Sequence, residues 1–395
     1  MLFFFNNYAL DTGRRELRSH GSLVAIEPQV FDLLVCLIEN RERVVSKDDL
    51  IASVWAGRIV SDSTLDSRIN AARKAIGDSG DKQIFIRTFA RKGVRFVGTV
   101  RRGEEQHEAA AVRPAIAEKQ QIAFCRGGDN VNIAFAAIGS GQPLIKTANW
   151  LTHLEYDWDS PVWSPMLHWL ASKTRLVRYD SRGNGLSDKT VSDISFAAFV
   201  RDLESVVDTT KLERFDILGI SQGAAIAIKY AVDHPDRVSK LVLHGGYAQG
   251  RYKRGSVEER EKADIFLSML RHGWGDEHSA FMRAFSSVFI PNGSQEQIRW
   301  FAQLQQVTTT AENAARIRRA CDEIDVIDLL PKVRVPTLVT HCRYDNVVPL
   351  EQGRLVAASI PNARFVTLES ENHVLLSSEP AWPQFVEEVE SFLQI

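Results

Sequence analysis

The chain has 395 residues, 44% hydrophobic and 25% charged, with a net charge of −2. This balance excludes disordered and fibrous classes, and the length favours two or three domains over one. Residues 1–100 hold 15 Lys and Arg against 12 Asp and Glu, net +3, which leaves −5 for the remainder. An anionic partner is therefore expected at the front of the chain. No apolar run nears the ~18 residues that a membrane span needs. The opening MLFFFNNYALD, short and without a basic leader, reads as a first strand and not as a signal peptide. Cys36, Cys125, Cys321 and Cys342 are scattered without a CxxC pair, so reduced, mostly buried thiols in a cytoplasmic protein are expected.

The apolar runs LFFF and SLVAIE flank DTGRRELRSHG, whose Gly13 and Gly21 supply turns, so a small antiparallel sheet is expected over residues 1–27. Pro28 suits the first turn of a helix through VFDLLVCLIEN. Ser46 is a candidate N-cap for a second helix. The stretch SDSTLDSRINAARKAIGD predicts a third helix with an apolar stripe of Leu65, Ile69, Ala72 and Ile76. Arg68, Asn70, Arg73 and Lys74 lie off that stripe. IFIRTFARKGVRFVG reads as a β-hairpin with a basic tip, Ala90 to Gly93.

This succession predicts a winged helix-turn-helix, an α+β domain whose third helix enters the major groove while the hairpin reaches a neighbouring groove or the phosphates. The helix Thr64 to Asp78 and the wing Arg87 to Phe96 resemble the OmpR/PhoB-type winged-helix domain, which also carries an N-terminal small sheet. The resemblance implies double-stranded promoter DNA as partner, with Arg68, Asn70, Arg73, Lys74, Arg91 and Lys92 as contacts. It departs in the wing, where Arg91-Lys92 and Val94 replace the family's usual second glycine and aromatic. No receiver domain precedes the block, so its signal is expected from elsewhere in the chain.

Residues 101–120, rich in Ala and Glu, suit an exposed linker, and from 121 to 395 strand-like runs alternate with helical ones. FDILGISQGAAIAIKY combines a buried strand, a Gly-Ile-Ser-Gln-Gly turn and an Ala-rich helix closed by His234-Pro235. Such a turn holds its serine in a strained backbone so that the hydroxyl projects from the sheet. With strands expected at PLIK, TRLVRY, RVSKLVLH, VPTLVTHC and ARFVTL, residues 121–395 resemble the α/β-hydrolase fold, a mostly parallel sheet with helices on both faces. The family's chain order then places the acid at Asp345 and the histidine at His373. His373 would take the proton of Ser221, and Asp345 would orient and stabilise the imidazolium. His244 reads as a pocket or strand-end residue, and Asp180 in YDSRGNG as a turn former.

The family's His-Gly after the third strand is replaced by Thr147-Ala148-Asn149-Trp150-Leu151. The N–H of Gln222 is expected to serve as one oxyanion donor, with Trp150 or a neighbour as the second. A helical lid is expected at about 247–330, and Trp150, Trp158, Trp274 and Phe281 are candidate walls of an apolar ligand pocket. The segments ANWLTHLEYDWDSPVW and RYDSRGNGLSD also resemble hydrolase-like modules fused to bacterial regulators and cyclases, which points toward sensing. The expected protein is a homodimeric DNA-binding regulator that senses a small apolar or ester-like ligand, with slow hydrolysis of that ligand left open by the sequence. The alternative is a serine esterase with an accessory winged-helix module. The sequence contains no metal-ligand cluster, phosphate-binding glycine loop or dinucleotide fingerprint, so no cofactor and no metal are expected.

Overall fold

The computed structural model describes residues 2–19, 22–55, 60–80, 82–89, 92–103, 120–275 and 279–395. The chain separates into two compact units, Met1–Val112 and Arg113–Ile395.

In the first unit, β1 (Leu2–Phe5), β2 (Tyr8–Asp11), β3 (Glu16–Ser19) and β4 (Ser22–Val24) form an antiparallel meander. Three helices follow, α1 (Pro28–Glu39), α2 (Lys47–Trp55) and α3 (Asp62–Ala75), and then the hairpin β5 (Ile86–Phe89) and β6 (Gly93–Phe96). Pro28 opens α1, where its missing N–H costs nothing, and the Ser61 and Ser46 hydroxyls accept backbone N–H groups at the starts of α3 and α2. The α3 stripe Leu65, Ile69, Ala72 and Ile76 is buried against Phe31, Leu34 and Leu37 of α1 and Phe96 of the wing. Gly93 is required where it stands: Val45 and Val94 exchange two backbone hydrogen bonds, and a Cβ on Gly93 would sit 2.0 Å from the Val45 oxygen. The boundary at residue 101 needs correction. Arg101–Gly103 forms β7 on the open edge of β1, because a strand edge offers unpaired N–H and C=O groups to any extended neighbour. The rest of the expected linker, 104–119, lies outside the described residues.

The second unit carries eight strands: β8 (Gln121–Arg126), β9 (Asn132–Ile138), β10 (Pro143–Lys146), β11 (Arg175–Tyr179), β12 (Phe215–Ile220), β13 (Val238–His244), β14 (Thr337–Cys342) and β15 (Arg364–Leu368). Their order is β15-β14-β13-β12-β10-β11-β9-β8. The six strands from β15 to β11 are parallel, while β9 runs antiparallel to both β11 and β8. The central strands are buried throughout, as β12 and β14 show, which accounts for their predominantly apolar residues. The helices are α4 (Leu154–Trp158), α5 (Ser164–Lys173), α6 (Phe196–Thr210), α7 (Gln222–Asp233), α8 (Val257–Gly273), α9 (Ala280–Phe289), α10 (Gln295–Thr308), α11 (Ala311–Asp322), α12 (Leu350–Ser359) and α13 (Ala381–Leu393). Helices α8 to α11 are the expected insertion between β13 and β14. Ser or Thr caps every one of them, including a capping box of Ser294 with Gln297. The four cysteines are buried and unpaired by disulfides.

Candidate active site and nucleic-acid interface

Ser221 stands between β12 and α7 with φ 55° and ψ −127°, a conformation that few side-chain-bearing residues adopt. The glycines around it are fixed by close approach. A Cβ on Gly223 would lie 2.4 Å from Thr147 Oγ1, and one on Gly219 would lie 2.7 Å from the Ala224 Cα. The Thr147 hydroxyl in turn donates to the Gly223 carbonyl at 3.0 Å, so the 147–151 loop is pinned against the serine turn.

Asp345 and His373, 28 residues apart, meet at 2.6 Å between Oδ2 and Nδ1. The other carboxylate oxygen accepts the N–H groups of Val347 and Val348 at 2.8 and 3.0 Å. Burial by itself would raise the Asp345 carboxyl. His373 and the Val348 N–H outweigh it and hold Asp345 below the ordinary carboxylate range. The end of β13 brings this pair to the serine. Ser221 N–H donates to the His244 carbonyl at 3.0 Å, and the His373 ring lies 3.3 Å from where a Cβ on Gly245 would stand. His373 Nε2 is buried with no hydrogen-bond partner, so it is free to accept a proton. Asp345 and His373 are therefore paired, whereas no hydrogen bond joins Ser221 to His373. His244 is the strand-end residue, bonded to Thr340 Oγ1 at 2.9 Å. Burial first, then the neighbouring His373 and His341, push it down to about 3, so it stays neutral.

Two supports were not legible in the sequence. His341 donates its Nε2–H to the Val348 carbonyl, 2.9 Å away, and so braces the loop that carries Asp345. From the lid, the Phe289 carbonyl at the end of α9 accepts the N–H groups of His373 and Val374 at 2.9 and 3.2 Å, and its ring meets His373 edge-on at 5.9 Å.

The N–H of Gln222 opens α7, where the helix itself offers no acceptor, and it follows the serine directly. Trp150 lines the same cavity, while its indole N–H points to Gln305 Oε1 at 3.5 Å. The cavity beside Ser221 is only about 10 Å³, roughly one water. Its walls correct the expectation of an apolar pocket: alongside Trp150, Tyr247 and Phe289 stand Arg254, Arg318 and Asp322. Trp158, Trp274 and Phe281 do not line it. Trp158 packs on His168 and under Arg178, Phe281 stacks on Phe285, and Trp274 packs half-buried against the main core. Closeness in sequence does not decide the face on which a helix or loop presents these rings.

Asp180 is structural as expected, accepting the N–H groups of Leu154 and Leu186. Next to it, Arg182 is fully buried on Asp202 and Asp129.

In the winged helix, Lys74 and Lys92 are exposed, as is Asn70. Arg68 is half-buried and forms an ion pair with Glu27 at the start of α1. Arg91 lies outside the described residues. Arg73 requires correction: it is 6% exposed, with its guanidinium donating to the Ile86 carbonyl, Thr88 Oγ1 and Asn70 Oδ1. It fastens α3 to the wing strand, with four of its five N–H groups spent inside the domain. Asp78, unremarked in the sequence, does similar work. Its carboxylate accepts the N–H groups of Ser79, Ile84, Phe85 and Ile86. Burial would raise this carboxyl, yet the four donors leave it below the ordinary range. Arg87, exposed on β5, joins the basic residues of the wing. Arg73→Ala is accordingly expected to cost about 1–3 kcal/mol of stability in a urea melt. Lys74→Ala and Lys92→Ala should leave the melt unchanged and each lower the slope of log K against log salt by about 1.

A winged helix followed by an elbow serine, an Asp–His pair and a helical lid defines a chain that joins a DNA-binding domain to a hydrolase domain. Residues 157–380 match the family described as alpha/beta hydrolase fold, and the chain belongs to that family. Residues 21–96 match the family described as transcriptional regulatory protein, C terminal, so the front unit is an OmpR/PhoB-type DNA-binding domain. The RutD protein of Caulobacter sp. strain K31 is 28% identical over 208 residues, covering 51% of this chain and 74% of its own length. Pyrrolizixenacetamide deacetylase of Xenorhabdus hominickii is 23% identical over 236 residues, covering 58% and 85%. An esterase from Exiguobacterium antarcticum shares the fold with a TM-score of 0.59 at 24% identity, over 70% of this chain and all of its own. Among the described residues, no helix is long and apolar enough to cross a membrane.

Proposed function

We propose that this chain is a one-component, cytoplasmic transcription regulator, acting as a homodimer on promoter DNA. Its hydrolase-fold domain binds a small ester-like molecule beside Ser221 and slowly hydrolyses it. The observation that carries this reading is the placement of a strained serine and a hydrogen-bonded Asp345–His373 pair under a nearly closed lid, in one chain with a DNA-binding domain. In the reaction His373 Nε2 takes the Ser221 proton, Asp345 stabilises the imidazolium, and the N–H groups of Gln222 and Trp150 receive the developing oxyanion. The deacetylase and esterase named above support acyl-transfer chemistry at this serine. Regulation requires that the occupied site favour one DNA-binding state over the other.

Labelling with a fluorophosphonate tests both halves. Wild type is expected to be labelled and Ser221→Ala is not, and labelled protein should differ about 5-fold or more from unlabelled protein in promoter affinity. Equal affinities would leave the second reading, an esterase with an accessory winged helix. Absence of DNA binding at low salt would remove the regulator altogether.

A further inference from the structure

The cavity beside Ser221 is built of more positive charge than its neighbours need. Arg318, on α11, forks onto Asp322 with Nε to Oδ2 at 2.9 Å and Nη2 to Oδ1 at 2.7 Å, and that pair is complete. Arg254, from the loop after β13, spends only its Nε, on the Gln249 carbonyl at 2.9 Å. Among the described residues its two terminal nitrogens have no hydrogen-bond partner, although it lines the cavity together with Ser221 and Gln222. Arg251, one turn of loop away, stacks on the Phe266 ring that also carries Arg318, at 5.4 and 5.2 Å. Burial and Arg318 together push Arg251 down to about 10, the mark of cations crowded away from water. The carboxylates on the other side of the balance are Asp322, already bonded to Arg318, and Glu259, which faces Lys262 at 3.8 Å. Three guanidinium groups thus cluster where one carboxylate is committed, and of the two that line the cavity, Arg254 is the one with unused donors.

We infer that the ligand of this site is an ester or amide that also bears a carboxylate, which the terminal nitrogens of Arg254 bind while its acyl carbon lies at Ser221. The inference rests on the reading of Ser221 as an occupied, acylatable site. A planar guanidinium with two free donors matches a carboxylate in a two-point contact, and half-burial makes that contact worth more than it would be in water. A neutral ester would leave those donors unmatched once the lid closed over it. The cavity's present size means that α8 to α11 must part to admit such a molecule, so charge and entry are coupled through the same lid.

The experiment compares acylation by the mono-p-nitrophenyl ester of glutarate with that by p-nitrophenyl valerate, read as the p-nitrophenol burst. Wild type should favour the anionic ester by about 10-fold or more, since a charge-assisted contact of ~1.5–3 kcal/mol converts at 1.4 kcal/mol per tenfold. Arg254→Gln should bring the ratio near one, and Arg254→Lys should keep part of it. Independently of any variant, free glutarate should slow fluorophosphonate labelling of wild type while glutaramide does not. Equal rates for the two esters, with no protection by glutarate, would overturn the inference while leaving the serine site intact. Failure of the fluorophosphonate itself to label Ser221 would overturn the underlying reading, and this inference with it.

Discussion

Asp345→Asn is expected to lower the acylation rate of an activated ester by about 10⁴-fold without unfolding the domain. The carboxylate does two separable things. Its Oδ1 collects the N–H groups of Val347 and Val348, a job that an amide oxygen can keep. Its Oδ2 receives the Nδ1–H of His373 at 2.6 Å, and this fixes the tautomer whose Nε2 carries a lone pair toward the serine. An amide oriented by the two backbone donors presents its NH₂ to Nδ1. The imidazole proton then moves to Nε2, and the base is lost. The buried surroundings add to the effect, because an imidazolium formed there without a carboxylate would be an isolated charge. Burst kinetics with wild type and variant at the same pH, alongside matching urea melts, check this. A loss below about 10-fold would mean that Ser221 is acylated without His373.

The largest expected stability effect lies away from the serine. Arg182→Met should destabilise the hydrolase domain by about 3–5 kcal/mol at pH 8, because it leaves a buried carboxylate without its cation. Arg182 donates through Nε and Nη2 to Asp202 at 2.9 and 2.7 Å, and through Nη1 to Asp129 at 2.6 Å, while its backbone N–H also reaches Asp202. Both Arg182 and Asp202 are essentially inaccessible to solvent. Burial already lifts Asp202 to about 6, with Arg182 restraining the rise. Without the arginine the folded-state value climbs further, so near neutral pH the folded variant holds a proton that the unfolded chain releases. Stability should then increase as the pH falls from 8 toward 5, by up to ~1.4 kcal/mol per unit. Urea melts across that range measure it. A flat profile would show that Asp202 stays charged and finds another partner. The loop involved also touches the lid, through Gly185 N–H to the Thr308 carbonyl and Thr309 Oγ1 to the Gly183 carbonyl, so its loss should also loosen the cavity.

What the sequence determined by itself was whatever rests on local order and periodicity. The α3 stripe, the basic wing, the strand–Ser221–helix turn and the chain order Ser221, Asp345, His373 are contiguous or ordinal signals, and they were enough to show both kinds of domain and to nominate the Asp345–His373 pair. The tertiary structure alone decided what each side chain meets. Arg73 and Lys74 are adjacent basic residues of one helix, yet only Arg73 comes within reach of the Ile86 carbonyl, because β5 returns across that face of α3. Trp158, Trp274 and Phe281 suggested an apolar chamber. The actual walls come from Trp150, from Arg254 after β13 and from Arg318 on α11, which are brought together by the crossing of a loop and a lid helix. The strand Arg101–Gly103 was invisible for a related reason: its composition is that of a linker, and only the open edge of β1 gives its backbone a partner. Helical and strand patterns are written in neighbouring residues, whereas the charge of a cavity is the sum of groups that meet only after folding.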